Sequence, residues 1–144
     1  MTRLGMLLAA GVLLAATPSF AQTVGSCARG GGANQPQAVW VLFDLGSAQV
    51  RGDNTGPHTI ENSFRKAYTA RTTRAPSGAL VDRVKADPNL GLVHLTNVIA
   101  TQGALPIKVG DDVIGAVGAS GAPGGEKDEA CVKAGLDKVA DQLK

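Results

Sequence analysis

The side chains with most chemical potential in this chain are two histidines, His58 and His94, which lie in or beside predicted loops. A neutral imidazole binds a metal ion or a haem iron through one ring nitrogen. A loop histidine is also commonly just solvated or hydrogen-bonded to its neighbours. A closed zinc site needs about four ligands, and no suitable cluster of ligand residues accompanies either histidine. Both histidines therefore remain open as iron ligands or as ordinary polar residues.

Four basic residues flank the two predicted junctions where a loop enters a helix: Arg51, Lys66, Arg71 and Arg74. Arginine and lysine at such places can pair with the carboxylates or phosphates of a ligand, although ordinary solvated charges fit the sequence equally well.

No catalytic or nucleotide-binding motif is complete. Ser120 follows Gly118 and Ala119, which is not the GxSxG of a nucleophile elbow. The glycine-rich stretch 121–125 could cradle a phosphate at a helix start, but the acids that follow it would repel an anion. A structural corner is the better interpretation. No acid–base or nucleophilic constellation is complete, so the sequence does not decide whether the protein is an enzyme.

The first 21 residues have the pattern of a secretory signal peptide. Arg3 precedes an apolar run from Leu4 to Ala16, and small residues at Ser19 and Ala21 mark a cleavage site before Gln22. The apolar run is shorter than the ~20 residues that span a bilayer. The sequence thus predicts a periplasmic or secreted protein that is not embedded in the membrane.

The export prediction makes a disulfide between Cys27 and Cys131 permissible. Their separation excludes CxxC and CxxCH motifs, and a pair of reactive thiols is the alternative. Without Arg3, 13 basic residues face 12 acidic ones, with no block of like charge and few aromatic residues. That composition argues against a nucleic-acid partner.

The elements that must position these residues follow from the hydrophobic pattern. A glycine-rich tail, 22–37, precedes a buried strand at Ala38–Phe43, and a second strand follows around residues 48–51. Helices are predicted from Thr59, from Ser77 to about Ala86, and from about Glu126 to Leu143, with a hairpin of two strands before the last one. Residues 90–101 read as short strands or as a packed loop. The pattern predicts an α+β domain over residues 38–144.

Several separated stretches resemble the HbpS/GlcG family, formerly the DUF336 domain. They are VRGDNTGP at 50–57, RKAYTA at 65–70, APS at 75–77, LPI at 105–107, VIGAVG at 113–118, SGAP at 120–123 and DE at 128–129. They occur in the family's order and cover nearly everything from Ala38 to Leu143. The exported haem-binding branch is the most similar in character.

The resemblance implies a profilin-like fold, with α/β/α layers around a five-stranded antiparallel sheet and frequent assembly into homo-oligomers. It also implies binding of haem or a related tetrapyrrole. By motif position, the haem-binding residues would be Arg51, His58, Lys66, Thr69 and Ser77, with His58 and Ser77 as candidate iron ligands. A hydroxyl is a weak iron ligand, so Ser77 favours exchangeable haem.

Two features depart from the family pattern. Family members usually begin with a long alanine-rich helix, whereas the tail 22–37 has the wrong composition for one. The surface under that helix would then be open, covered by a partner protein, or covered by the tail held through Cys27. The usual Gly-Gly before the proline-containing strand also appears as Gln102-Gly103-Ala104, which leaves open a different closure of this loop.

Three functions remain open from the sequence. The first is an exported haem-binding protein for carriage, storage or sensing. The second is an enzyme acting on haem or a small organic acid. The third is a structural or regulatory subunit without a functional pocket.

Overall fold

The computed structural model describes residues 38–43, 46–53 and 55–144. These residues form the strands β1 (Ala38–Phe43), β2 (Gly46–Arg51), β3 (Ala104–Val109) and β4 (Asp112–Ser120). They also form the helices α1 (Pro57–Thr73), α2 (Gly78–Ala86) and α3 (Gly125–Asp137), with 3-10 turns at Gly91–His94 and Ala140–Gln142. The predicted signal peptide, the predicted glycine-rich tail and the question of a helix before β1 all lie outside the described residues.

One antiparallel sheet of four strands, in the order β2-β1-β4-β3, organises the described part of the chain. β1 and β4 are its central strands, and Ala38 pairs with Ser120 at one end. Pro106 lies on β3, where a residue without an N–H is tolerated because this is an edge strand. The α+β class with an antiparallel sheet is confirmed. The expectation of five strands is wrong, because the described sheet has four.

Residues 90–101 contribute no strand because their backbone bonds close locally. The N–H of Val93 donates to the carbonyl of Leu90, and Leu95 and Val98 make the same kind of bond three residues back. These donors are therefore unavailable to a neighbouring strand. Of the two interpretations that the sequence left open, the packed loop with a 3-10 turn is the one observed.

Helices α1 and α3 pack on opposite faces of the sheet, as alternating residues of β4 show. Ala116 packs with Ala67 and Ala70 of α1, whereas Val117 joins a second cluster with Val132 of α3. Helix α1 comes very close to β4, because a Cβ added at Gly118 would lie 2.2 Å from the carbonyl oxygen of Ser63. A glycine is required at this crossing.

The helix ends differ in detail from the predictions. Helix α1 begins at Pro57 with Gly56 as its N-cap, so Thr59 lies inside the helix and its Oγ1 donates to the carbonyl of Gly56. Ser77 does occupy the N-cap position of α2, but its side chain makes no capping bond. Helix α3 ends at Asp137, and the chain then tightens into 3-10 bonds.

No helix in the described ranges is both long and apolar enough to cross a membrane.

Candidate functional site

A buried ion pair joins α1 to the start of α3. Lys66 Nζ lies 2.8 Å from Asp128 Oδ2, with side-chain exposures of only 5% and 3%. The same ammonium donates to the carbonyl of Ala119 at 3.1 Å, and Asp128 Oδ1 accepts from the N–H of Ala122 at 3.1 Å. Burial raises the pKa of the Asp128 carboxyl, although the hydrogen bond and charge of Lys66 act in the opposite direction. Lys66, a predicted haem contact, is thus engaged inside the protein.

Gly103 closes the chain tightly against this pair. Its φ of 131° lies in a region that favours glycine, and an added Cβ would lie 2.8 Å from Lys66 Nζ and 2.9 Å from Asp128 Cβ. This packing therefore needs a glycine at position 103. The side chain of the preceding residue, Gln102, donates from Nε2 to Glu129 Oε1.

Two further predicted site residues, Thr69 and Ser77, use their hydroxyls to hold backbone segments. Thr69 Oγ1 donates to the carbonyl of Arg65 at 2.9 Å and accepts from the N–H of Ile99 at 2.9 Å. Ser77 Oγ accepts from the N–H of Ala104 at 3.0 Å. Both residues are completely buried. Their burial, rather than a full set of hydrogen bonds, is what keeps either hydroxyl from a ligand.

Arg51 and His58 are the two predicted site residues that are exposed. Arg51 ends β2, which is an edge strand, and His58 is the second residue of α1. The five predicted residues therefore do not converge on one surface: two face solvent and three are buried. Among the described residues, no three His, Cys, Asp or Glu side chains group as a metal site.

A cleft of about 560 Å³ opens beside Ser77. One wall is the start of α2, with Pro76, Ala79 and Val81, and the opposite wall is formed by Gln102 and Glu129. Lys85 and Asp82 of α2 also line the cleft, and they form an exposed ion pair with 3.6 Å between Lys85 Nζ and Asp82 Oδ1. Ligand pockets typically occupy ~300–1,000 Å³, so this cleft is large enough for a small molecule or cofactor.

The Glu129 carboxylate is the most unusual group in the cleft. Its Oε1 accepts from Gln102 Nε2 at 3.1 Å, whereas its Oε2 is buried and has no hydrogen-bond partner among the described residues. A buried carboxylate oxygen left without a donor is costly. This atom therefore marks a point where a ligand donor would be favoured, and it gives the cleft a negative charge.

Cys131 lies on α3, is buried, and is disulfide-bonded. Cys27 lies outside the described residues, so its pairing with Cys131 stays a prediction.

A family model described as "Haem degrading protein HbpS-like" matches residues 17–137. This chain belongs to the HbpS-like family. The match confirms the resemblance on the sequence motifs, and it begins ahead of β1, within the part of the chain that precedes the described residues. No curated protein sequence matches the chain.

Solved structures agree on the fold. The crystal structure of HbpS is 25% identical with a TM-score of 0.72, covering 85% of this chain and 89% of HbpS. The DUF336 protein ORFY of Klebsiella pneumoniae is 23% identical, and its alignment covers 86% of this chain and 90% of the ORFY chain, also with a TM-score of 0.72. A haem complex of PduOC is 21% identical with a TM-score of 0.57, covering 95% and 93% of the two chains.

The α2 side of the cleft in this HbpS-like protein is mixed, with the apolar side chains of Pro76, Ala79 and Val81 beside the charged Asp82 and Lys85. However, no histidine, cysteine, methionine or tyrosine is among the described residues that line it, and these are the usual axial ligands of haem iron. The cleft therefore suits the macrocycle and a propionate better than it suits the iron.

Sequence reasoning missed Asp128, Glu129 and Gln102 as residues of the site. A signal for Asp128 was present, because it shares the helical spacing of the buried residues Cys131, Val132 and Gly135. Lys66 likewise falls on the buried face of α1. A buried lysine or aspartate is seldom unpaired. A lysine on the buried face of α1 and an aspartate on the buried face of α3 therefore predict an ion pair between the two helices. Nothing in the sequence marked Gln102 as the partner of Glu129.

Proposed function

We propose that this protein binds haem, or a related tetrapyrrole, in the cleft between α2 and the start of α3. The single observation that carries the proposal is that a cleft of about 560 Å³, large enough for a ligand, lies beside the predicted residue Ser77. Membership of the HbpS-like family and the likeness to HbpS support haem as the ligand.

The residues of the cleft have separable roles in this proposal. Pro76, Ala79 and Val81 offer an apolar wall on which the flat ring can lie. Lys85 pairs with a propionate, and its present partner Asp82 is easily displaced because exposed ion pairs contribute little. Glu129 limits how deeply the second propionate enters, since two carboxylates repel one another.

The proposal implies loose binding. Because no strong axial ligand lines the described cleft, iron coordination would depend on a weak oxygen ligand or on a histidine from elsewhere. Of the residues predicted as iron ligands, Ser77 is completely buried and would first have to become accessible, and His58 would have to act from the exposed start of α1. Exchangeable haem suits carriage, storage or sensing, and the predicted signal peptide places that role outside the cytoplasm.

Titration of haem into the purified protein, followed by the Soret band, tests this proposal. Ala79→Trp fills the cleft and should abolish saturable binding, while Lys85→Gln should weaken it about 3–10-fold through loss of a charged contact. Lys133→Gln is a matched control, because Lys133 is also exposed and paired within its helix, with Asp137, on α3. Full affinity in Ala79→Trp, or no Soret change in the unmodified protein, would reject the cleft as the haem site.

A second candidate function is haem degradation, which is favoured by the description of the matching family model. The haem-loaded protein would be given a reductant or a peroxide, and loss of the Soret band would be followed together with the tetrapyrrole products. If the unmodified protein forms tetrapyrrole products and Ala79→Trp does not, the protein is an enzyme that degrades haem in this cleft. If the Soret band is lost at the same rate in the unmodified protein, in Ala79→Trp and in free haem, degradation is rejected and carriage or sensing is the remaining function.

A further inference from the structure

Glu129 and Gln102 form a polar corner in the cleft between α2 and the start of α3. Gln102 Nε2 donates to Glu129 Oε1 at 3.1 Å, and both residues line the cleft. Two hydrogen-bonding capacities remain beside this bond. Glu129 Oε2 is buried and accepts nothing from the described residues. The amide of Gln102 carries two N–H groups, of which the bond to Oε1 uses one. The corner therefore offers an acceptor next to a donor.

A small rotation is enough to bring the acceptor to the cleft. Glu129 as a whole is only half-buried, although its Oε2 is covered in the present conformation. The terminal torsion of a glutamate side chain is broad, so turning the carboxylate costs little. One oxygen can then face the cleft while the other keeps its bond to Gln102. A ligand N–H at that oxygen would offset the loss of water from the carboxylate.

Haem cannot supply this donor because of its own chemistry. Its four pyrrole nitrogens bind the iron, so none of them carries a hydrogen, and the edge of the macrocycle bears carbon substituents and two propionates. The described residues that line the cleft also include no usual axial ligand of haem iron. A haem in this cleft would therefore leave both the iron and the carboxylate of Glu129 without a matching partner.

We propose that the cleft is selective for an iron-free, linear tetrapyrrole over haem, and that Glu129 determines this preference. The end rings of a linear tetrapyrrole are lactams, each of which places an N–H donor next to a C=O acceptor. The N–H donates to Glu129, and the C=O accepts from the second N–H of Gln102. The rest of the molecule uses the contacts proposed for haem, with conjugated rings against Ala79 and Val81 and a propionate at Lys85.

This inference rests on the proposed function, and one set of titrations tests both. Biliverdin, a linear tetrapyrrole, and haem would be titrated into the purified protein and followed by their visible absorption. Because a hydrogen bond to a charged group is stronger than one between neutral groups, we expect biliverdin to bind about tenfold more tightly than haem. Metal-free protoporphyrin carries its N–H groups inside a closed ring, so it should bind no more tightly than haem.

Glu129→Met removes the acceptor and keeps the length of the side chain. We expect this variant to bind biliverdin about tenfold more weakly and haem no more weakly than the unmodified protein does. Glu129→Gln keeps a neutral acceptor and should lose less affinity for biliverdin. Glu126→Met is the matched control, because Glu126 is exposed in the first turn of α3 and does not line the cleft. Haem binding and the unfolding curve of each variant show that it is folded.

The outcomes separate the two proposals. Haem that binds saturably, is excluded by Ala79→Trp and binds as tightly as biliverdin would overturn the selectivity and leave the proposed function intact. Equal affinities of Glu129→Met and the unmodified protein for biliverdin would overturn the role of Glu129. Protoporphyrin that binds as tightly as biliverdin would overturn the preference for a linear ligand. If neither haem nor biliverdin binds, the proposed function is rejected and this inference with it.

Discussion

Lys66 Nζ and Asp128 Oδ2 lie 2.8 Å apart in the interior, where they join the helix on one face of the sheet to the start of the helix on the other. Their remaining bonds go to the backbone at Ala119 and Ala122, the end of β4 and the corner that follows it. The pair therefore sets the position of the corner from which α3 begins, and Glu129 and its cleft follow directly along the chain.

Removing one partner of this pair should be far more costly than removing both. Lys66→Ala or Asp128→Ala leaves a buried charge without its counterpart, and we expect a loss of about 3–5 kcal/mol in the free energy of unfolding. The double variant Lys66→Met, Asp128→Leu should recover much of that loss. Denaturant unfolding would measure it, with Lys133→Ala as the control, since its exposed pair with Asp137 should contribute about 1 kcal/mol or less. Equal losses in Lys66→Ala and Lys133→Ala would contradict the structural role.

The same pair should impose a pH dependence on stability. Burial raises the pKa of Asp128, so the folded state binds this proton more tightly than the unfolded state does. The resulting stabilisation is fully present below the unfolded pKa of about 3.9 and is lost as the pH rises through the higher folded pKa. The stability of the unmodified protein relative to Asp128→Asn should therefore fall across this window and then level off. Urea unfolding over a pH series would show it, and a difference that grows with pH would contradict the direction.

Replacement of Gly103 should destabilise the protein through both strain and contact. A Cβ at this position would lie 2.8 Å from Lys66 Nζ, and the φ of 131° is unfavourable for any other residue. We expect Gly103→Ala to cost about 2–3 kcal/mol, at the upper end of ordinary point substitutions. Gly91→Ala is the matched control, because nothing lies within 4 Å of its added Cβ. Thermal or denaturant unfolding would compare the stabilities of the two variants. Equal stability of Gly103→Ala and Gly91→Ala would contradict the prediction.

Glu129→Gln should strengthen the binding of haem if the cleft meets the propionates. The substitution keeps the size of the side chain and removes the negative charge from the cleft, so we expect a gain of up to about 1 kcal/mol in binding free energy. Glu126→Gln, an exposed residue in the first turn of α3 that does not line the cleft, should leave the affinity unchanged. Soret titrations at one ionic strength would measure both. A weaker affinity in Glu129→Gln would mean that the carboxylate itself binds the ligand.

Ser77→Ala should affect stability before it affects ligand binding. Its hydroxyl satisfies the buried N–H of Ala104, and loss of that bond should cost about 1–3 kcal/mol. His58→Ala removes an exposed side chain and should change stability by less than about 0.5 kcal/mol. Both variants would be unfolded in denaturant and titrated with haem. Full stability in Ser77→Ala would show that its hydroxyl is free to act elsewhere.

The family motifs and the hydrophobic pattern were enough to predict most of the elements and the class of the fold. The run Ala38–Phe43 is a strand because its apolar and β-branched residues suit burial in a sheet, and residues 113–118 lie in another for the same reason. The fifth strand was expected from the family resemblance, whereas the described sheet has four strands. The hydrophobic pattern left residues 90–101 open, because their short apolar pairs fit a strand and a packed turn equally well. Which of the two forms depends on whether another strand of the folded protein lies close enough to bond to the N–H and C=O groups of this segment.

The site was less accessible to prediction than the fold. Motif position singled out Lys66, Thr69 and Ser77, which are indeed central to the structure, but it could not show that their polar atoms are used inside the protein. A hydroxyl or an ammonium has the same identity in the sequence whether it faces a ligand or a backbone carbonyl.

By itself, the sequence determined the family and the antiparallel α+β architecture. The tertiary structure alone decided that Lys66 joins Asp128, that Ser77 holds Ala104 beside a cleft, and that Glu129 retains a buried oxygen without a donor. The physical reason is distance along the chain. Patterns of hydrophobicity and turn chemistry act over a few residues, whereas these contacts join segments separated by 27 to 62 positions, and only folding brings them together.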